Sequence, residues 1–387
     1  MFSDRTNWEL APNKLTTLLE DLRRQKIPLY DLTESNPTHC GFSYPPEIID
    51  ALANPANLDY APQAQGMLSA REAVCLYYQR KGIEVRPDQV FLTSSTSEGY
   101  SFLFRLLLNP DEQALFPSPS YPLFQFLADL NDVRLENYPL IYDEGRWIVN
   151  NKKMADKISG NTRAICLVNP NNPTGSYIKS DELAAINGLC KKHDLAIITD
   201  EVFLDYILEK NYRPVSLAAN DKNLTFVLGG LSKVLGLPQM KFSWIVVNGP
   251  GAKTKKAVER LEVIADTYLS INTPVQNAAP VWLNLQDVLQ EQIKERTRRN
   301  RDYLLQNLPR KAGPQCLHAE GGWYAILKLP DWVEEEVFTL KLLEEAQVYI
   351  HPGYFFDFAK GSYAVVSLLA PESAFQEGIR RLVLRII

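Results

Sequence analysis

Six short apolar segments between Val90 and Val247 alternate with helix-like stretches, and this alternation restricts the fold more than any other feature of the sequence. The segments are VFLTSS, ALFPSPS, AICLVNP, AIITDEV, TFVLGGLSK and FSWIVV. Most of them end in polar or glycine residues before the next helical stretch, which is typical of a parallel sheet connected by crossover helices. We therefore expect an α/β domain that binds its ligand at the carboxyl ends of the strands.

The rest of the chain indicates a second, smaller domain. Leucines at helical spacing over residues 15–22 predict an amphipathic helix, and a proline-rich segment follows. A long charged helix and a second, shorter strand–helix alternation come after residue 280. We expect an N-terminal arm that contributes to the small domain over residues 1–45, a large domain over 46–285 and a small C-terminal α/β domain over 286–387.

Composition argues against several classes of partner. The formal net charge is −5, and the densest basic run, Lys294–Arg301, contains Glu295, as expected of a solvated helix face rather than a nucleic-acid site. No secretory signal pattern or membrane-length apolar run is present, so we expect a cytoplasmic protein without a membrane partner. The five irregularly spaced cysteines and four scattered histidines predict reduced thiols and no metal site.

Polar side chains that could take part in catalysis or binding follow four of the predicted strands. They are Ser95, Thr96 and Ser97 at a helix start, Asn172 in a turn between prolines, Asp200, and Lys233 in LGGLSKVLGLPQ. Taken singly, each has an ordinary explanation as a helix cap, a turn residue or a solvated charge. A lysine among apolar residues is costly to bury unless a partner or a covalent bond takes up its charge. Their occurrence together on strand ends of one sheet favours a functional site.

These segments resemble the class I and II aminotransferases of pyridoxal 5'-phosphate (PLP) fold type I. The family motif Asn-Pro-x-Asn-Pro-Thr-Gly is matched at residues 169–175, Asp-x-x-Tyr in part at 200–203, and Ser-x-Ser-Lys in part at 230–233. Further similar segments are DYAPQAQGMLSAREAV, PSPSYPLF, GGWYAILKLP and VYIHPGYFF, so the resemblance covers nearly the whole chain. It implies a large domain with a mainly parallel, seven-stranded-type sheet wound by helices, plus the smaller α/β domain.

The resemblance also implies an activity: amino transfer from a donor to a keto or aldehyde acceptor by a ping-pong mechanism. Lys233 would form the Schiff base with PLP and, once released, act as the base at the substrate α-carbon. Asp200 would pair with the pyridine nitrogen, Asn172 would hydrogen-bond the phenolic oxygen, and Tyr121 would stack on the ring. Small-molecule amines or amino acids and keto acids would be the substrates, in amino acid metabolism or biosynthesis.

The cofactor phosphate would lie at the helix start. Family resemblance assigns it the backbone N–H groups near Ser95 and Thr96 and the hydroxyls of Ser95, Thr96, Ser97 and Ser232. Lys241 would add positive charge there, and Tyr60 matches a family tyrosine that reaches the phosphate from the neighbouring subunit. That match implies a homodimer with shared active sites.

Three departures from the family pattern concern the cofactor. Phe203 stands where a tyrosine usually contacts the phenolic oxygen, so Asn172 acts alone or Tyr206 substitutes. Lys241 stands in place of an arginine and loses its bidentate fork. Gly230 replaces the first serine of the lysine motif. None of these should prevent cofactor binding.

A fourth departure concerns the substrate. Family members clamp the substrate carboxylate with an arginine on a small-domain strand, and this chain has Val365 or Val366 there. Three explanations remain: the substrate has no free carboxylate, another group binds it, or the reaction is not transamination. Alternative groups are Arg380, Arg381, Arg385, Lys360, the backbone near Ser35 and Asn36, and, with lower expectation, His39 and His351.

Other functions stay open at this point. A lyase, decarboxylase or racemase on the same scaffold is the main alternative, because the way the carboxylate is held decides which bond breaks. A cofactor-bound protein without turnover is a second. A nicotinamide enzyme is disfavoured because no Gly-x-Gly-x-x-Gly follows a strand.

Overall fold

The computed structural model describes residues 1–209, 212–309, 313–358 and 360–385. Ile386 and Ile387, the end of the predicted small domain, lie outside the described residues. The described strands are β1 Tyr30–Asp31, β2 Val90–Thr93, β3 Gln113–Ser118, β4 Arg134–Asp143, β5 Arg146–Val149, β6 Thr162–Val168, β7 Ala196–Asp200, β8 Thr225–Gly230, β9 Ser243–Asn248, β10 Gln315–Cys316, β11 Tyr324–Lys328, β12 Val348–Tyr349, β13 His351–Pro352 and β14 Tyr363–Ser367.

Helices cover both faces of the large sheet and one side of the smaller one. They are α1 Lys14–Arg24, α2 Glu47–Asp50, α3 Leu68–Gln79, α4 Thr96–Leu107, α5 Leu123–Asp129, α6 Asn151–Asp156, α7 Ser180–His193, α8 Leu231–Val234, α9 Gly251–Tyr268, α10 Thr273–Asn284, α11 Gln286–Asn307, α12 Glu335–Ala346 and α13 Glu372–Leu384. No helix among these ranges combines the length and apolar character that a membrane span requires.

The large sheet has eight strands in the order β2-β9-β8-β7-β6-β3-β4-β5. The strands from β8 to β4 run parallel, which confirms the mainly parallel sheet. Strand β9 is antiparallel to β8 and β2. The connection, residues 231–242, contains the one-turn helix α8 and a 3-10 turn over Pro238–Met240, and no helix long enough to pack along the sheet as a crossover.

The sequence analysis missed β4 and β5. Strand β4 contains Pro139, and a proline usually argues against a strand because it lacks the N–H group that a sheet hydrogen bond needs. Strand β5 pairs antiparallel with β4 at the edge of the sheet. The two strands are joined by Glu144 and Gly145, both with positive φ (45° and 81°), as in the two-residue turns that favour hairpins. This hairpin extends the seven-stranded-type sheet to eight strands.

Successive residues of each strand face two separate apolar layers. In β7, Ile197 packs in the layer that contains residues of α3, α7 and α10, and Ile198 packs in the layer of α4, α5 and α9. By the same alternation Asp200 points to the α4 and α5 side. The end of this strand therefore aims its carboxylate towards the N-terminus of α4.

The smaller sheet has the order β10-β11-β14-β13, and the N-terminal residues pack beside it. Strand β1 pairs in parallel with β12, placing Tyr30 opposite Val348, and α1 packs against α12. The first residues reach back to the large sheet region, where Arg5 forms an ion pair of 2.6 Å with Asp132. The exact domain boundaries given above stay a prediction.

Candidate active site

A cavity of about 230 Å³ lies at the carboxyl ends of β6, β7 and β8, beside the starts of α4 and α5. Eight of the residues singled out in the sequence line it: Thr96, Ser97, Tyr121, Asn172, Asp200, Phe203, Ser232 and Lys233. Parallel strands deliver these side chains because their carboxyl ends meet at one edge of the sheet. Ser95, Tyr60 and Lys241 are not among the described lining residues.

Lys233 lies in the short helix α8, directly after β8. Its Nζ is 5.2 Å from the ring centroid of Trp323 and 5.7 Å from that of Phe203. Burial lowers the pKa of Lys233 to about 8, against the opposing effect of Asp200 and the Cys40 thiol. A lysine of this kind is a neutral amine much more often near pH 7 than an ordinary lysine is, which suits a nucleophile or a base.

Tyr206 fixes the backbone of Lys233. The fully buried Tyr206 hydroxyl donates to the Lys233 carbonyl oxygen at 2.6 Å. The hydroxyl proton of Tyr206 is therefore used in this hydrogen bond to the backbone. The alternative in which Tyr206 replaces the hydroxyl missing at Phe203 is not supported by this contact.

Asp200 ends β7 and is buried at 8% exposure. Its Oδ1 accepts a hydrogen bond from the Val202 amide at 3.1 Å. Burial raises the pKa of Asp200 to about 6, while the Val202 amide and the charge of Lys233 oppose the rise. A cationic partner inside the cavity would stabilise the charged form of such a carboxylate.

Asn172 projects from the turn between Asn171 and Pro173 and is 8% exposed. Its side-chain oxygen is buried without a hydrogen-bond partner, so the amide has unused hydrogen-bonding capacity at the cavity wall. Tyr324 and Ser35 complete this wall, and burial raises the pKa of Tyr324 to about 12 while the side chains of Ser35 and Asn172 oppose the rise. The sequence analysis gave Tyr324 no role, because an aromatic residue at a strand start is usually a core residue.

The start of α4 supplies the anion-binding end of the cavity. Ser95 is the N-cap, and its Oγ accepts from the Glu98 amide at 3.1 Å. The Ser95 hydroxyl therefore caps the helix, while Thr96 and Ser97 line the cavity. The first amides of a helix and its dipole attract anions, which makes this end suitable for a phosphate group.

Gly230, the departure from the lysine motif, has a steric reason. Its φ of 179° is extended, so the backbone does not demand glycine. A Cβ there would come within 2.3 Å of the Oγ of Ser243, the residue paired with it on β9. Ser243 lines the cavity, so the neighbouring strand supplies a hydroxyl where the motif lacks one. No sequence signal points to this role of Ser243, because the role depends on the β8–β9 register.

The remaining candidates lie elsewhere. Tyr60 is 75% exposed in a separate surface groove that includes Asn272, and Lys241 is exposed. Arg380 and Arg381 pair with Glu377, and Arg385 pairs with Glu345. These three arginines and the exposed Lys360 are absent from the described lining of the cavity.

The fold and this site define an α/β enzyme with a reactive lysine and a buried aspartate on neighbouring strand ends. Comparison with known proteins makes the class specific. The family model for aminotransferase class I and II matches residues 28–367. The chain therefore belongs to the class I and II aminotransferases and has the PLP fold type I of that family, whose members work with PLP.

Individual relatives agree with this assignment. The chain is 29% identical over 364 residues to the glutamate-pyruvate aminotransferase AlaA of Haemophilus influenzae, covering 91% of this chain and 89% of that protein. It is 30% identical over 306 residues to AlaA of Escherichia coli, covering 77% and 74%. An alanine aminotransferase structure from Pyrococcus furiosus superposes with a TM-score of 0.90 at 25% identity, covering 100% of this chain and 99% of that one.

A more distant structure shows the same fold. A Thermus thermophilus aspartate aminotransferase variant superposes with a TM-score of 0.86 at 23% identity, with both chains covered completely. The protein is thus an aminotransferase, and the comparisons do not favour the lyase, decarboxylase or racemase alternative.

Proposed function

We propose that this aminotransferase holds PLP in the cavity between β6, β7, β8 and α4, and passes an amino group from an amine or amino-acid donor to a keto or aldehyde acceptor in two half-reactions. The observation that carries the proposal is that Lys233 and Asp200 line one cavity, each with a pKa shifted by burial. A cationic ring nitrogen would satisfy the buried carboxylate. The Asn172 side-chain oxygen is a buried acceptor without a donor, so this side chain is not fully paired within the protein, and its NH2 group would be the part that meets the phenolic oxygen.

Each wall of the cavity would hold a different part of the cofactor. Lys233 would hold it covalently through Nζ, Asp200 would keep the ring nitrogen protonated, and Asn172 would bind the phenolic oxygen. Tyr121 would stack on the ring, and Phe203 would pack against it without donating a hydrogen bond. When bound, PLP supplies an aldehyde for the donor amine and a ring that accepts electrons from the broken bond at the α-carbon.

The phosphate would lie at the start of α4. Thr96, Ser97, Ser232 and the α4 amides support this placement from inside the cavity, and Ser243 adds a hydroxyl. Ser95 would contribute through its backbone, since its hydroxyl caps α4. Lys241 would contribute charge from outside the lining described above.

Lys233 would also move the proton. Once the donor amine has displaced it, Nζ would take the proton from the donor α-carbon and deliver it to the cofactor carbon. The lowered pKa of about 8 keeps this amine competent near neutral pH. Tyr206 would keep it in place by holding the Lys233 carbonyl.

We also propose a homodimer in which Tyr60 reaches the partner's phosphate site. The support is the exposure of Tyr60 and its neighbour Leu58, at 75% and 94%, which leaves an apolar segment open to a second copy. A cytoplasmic location and a role in amino acid metabolism stay predictions. Relatives are named for glutamate, pyruvate and alanine, and an amino-acid and keto-acid pair of that type is the first to test.

The test is the donor half-reaction of the purified protein with PLP. An amine donor should convert the absorbance of the lysine-bound cofactor to that of its amine form, and an acceptor should restore it. Asp200→Asn should slow both conversions without preventing cofactor uptake. If no donor in a broad amine and amino-acid panel converted the absorbance, the proposed reaction would be wrong.

A further inference from the structure

We propose that the substrate wall of the cavity, formed by Ser35 and Tyr324, binds an uncharged hydrogen-bonding group on the donor α-carbon rather than a carboxylate. This inference rests on the proposed function and names the substrate class for it. The donors that fit are amines with an amide, hydroxyl or similar neutral group beside the amino-bearing carbon.

The polar groups of the wall are neutral. Ser35 and Tyr324 both line the cavity, and burial keeps Tyr324 protonated by raising its pKa to about 12. Hydroxyls both donate and accept, so they can pair with an amide or an alcohol. A carboxylate taken out of water needs charge-assisted partners, which two hydroxyls do not provide.

The charge next to this wall is negative. Glu34 precedes Ser35, and its charge raises the pKa of both Tyr324 and the buried Cys40 thiol. Glu34 is fixed in place, because its Oε1 accepts from the Asn36 amide at 2.7 Å and its Oε2 lies 3.2 Å from His39 Nδ1. A substrate carboxylate here would meet a like charge.

Val365, at the place of the family arginine, is an apolar core residue of the small sheet. It lies directly opposite Ile326 on β11, two residues along from Tyr324, so all three side chains share one face of the small sheet. Val365 is 1% exposed and packs with Ile326 and Phe356. This position of β14, where the family arginine would stand, therefore supplies no cation for a substrate carboxylate.

The cations around this wall are already engaged. Arg296, whose charge acts on Cys40, donates to the carbonyl oxygens of Cys40 at 3.0 Å and of Leu369 at 3.3 Å, and lies 3.6 Å from Glu372. Lys233 is the one cation in the described lining, and it would be occupied by the cofactor and the proton transfer.

His351, opposite Val365 on β13, does not supply a charge either. Burial lowers the pKa of His351 to about 4, against the weaker opposing effect of Asp31, so its ring is neutral at pH 7. Its neighbours in space are the rings of Tyr349, Phe355 and Phe356. The resulting environment is neutral to negative, which favours an uncharged substrate group.

The test uses non-reactive probes and the full-length protein freed of cofactor. Pyridoxal phosphate is reduced onto alanine, alaninamide and alaninol, which gives three conjugates that differ in one group, and their dissociation constants are measured by calorimetry. We expect the alaninamide and alaninol conjugates to bind at least tenfold more tightly than the alanine conjugate. Equal binding, or tighter binding of the alanine conjugate, would overturn the inference while leaving the proposed transamination intact. If no conjugate bound, the cofactor site itself would be wrong, and the inference with it.

Two conservative variants test the physical cause. Glu34→Gln keeps the hydrogen bond to the Asn36 amide and removes the charge, so it should tighten the alanine conjugate several-fold and leave the alaninamide conjugate unchanged. Tyr324→Phe should weaken the alaninamide conjugate several-fold and leave the alanine conjugate unchanged. Tyr363→Phe, on the paired strand at the far end of the register, is the matched control and should change neither. Parallel changes for both conjugates in Glu34→Gln and Tyr324→Phe would contradict the assignment of this wall.

Discussion

Gly230→Ala should destabilise the protein through one contact with Ser243. The new Cβ would be placed 2.3 Å from Ser243 Oγ and 3.1 Å from Ser243 Cβ, whereas contacts below 3.0 Å are essentially never adopted. The Ser243 hydroxyl must therefore leave its position, or one strand must move, inside the buried β8–β9 pair. Overpacking of this kind costs about 1–3 kcal/mol. The extended φ of 179° adds no backbone strain, so the whole cost is steric.

A double-mutant cycle with Ser243→Ala isolates this contact. Removing Oγ leaves the 3.1 Å approach to Cβ as the closest side-chain contact, so most of the cost should disappear in the double variant. We expect a coupling free energy of at least about 1 kcal/mol from urea unfolding monitored by tryptophan fluorescence. Gly188→Ala is the control, because nothing lies within 4 Å of a Cβ there and it is inside α7; it should stabilise by about 0.4–1 kcal/mol. Additive effects of Gly230→Ala and Ser243→Ala would refute the explanation of the glycine.

Three further predictions concern the site. Asp200→Asn should stabilise the cofactor-free protein at pH 7.5 by up to about 3 kcal/mol, because the pKa of Asp200 in the folded protein, about 6, exceeds the ordinary 3.8 and the charged carboxylate is therefore destabilising. In urea unfolding, the stability difference between the variant and the original protein should shrink as the pH falls from 6 to 4. A difference that stays constant with pH would contradict this cause. Tyr206→Phe should cost about 0.5–1.5 kcal/mol of stability, because the Lys233 carbonyl loses its hydroxyl donor and keeps the 3.3 Å bond from the Gly236 amide. It should also speed PLP release, and an unchanged release rate would remove Tyr206 from the positioning of Lys233. Lys241→Ala should weaken PLP binding more at low salt than at high salt, since an exposed charge is screened; equal loss at both salt concentrations would indicate a different role.

The sequence predicted the part of the site that parallel strands build. Asn172, Asp200 and Lys233 follow β6, β7 and β8, which are neighbours in the sheet, and the carboxyl ends of parallel neighbours lie at one edge. The resemblance to a known family then gave these residues an order and a role. Both the family and the mainly parallel sheet were confirmed.

The residues that sequence reasoning missed come from long-range pairing. Ser243 reaches the cavity because β9 pairs antiparallel with β8 and places it opposite Gly230, a pairing that was not predicted from the sequence. Tyr324 reaches it from the small sheet, on a strand more than ninety residues after Lys233. The Ser95 hydroxyl also accepts from the Glu98 amide as the N-cap of α4, and its assignment to the phosphate stays a prediction.

The covalent attachment of PLP to Lys233 is the central claim, and borohydride trapping tests it most directly. The purified protein is supplied with PLP, reduced with borohydride and digested, and the modified peptide is identified by mass spectrometry. The account predicts one phosphopyridoxyl group per chain, on Lys233, and none in Lys233→Arg, while the exposed-lysine control Lys153→Arg is labelled like the original protein. Labelling at another lysine, or labelling that persists in Lys233→Arg, would contradict it.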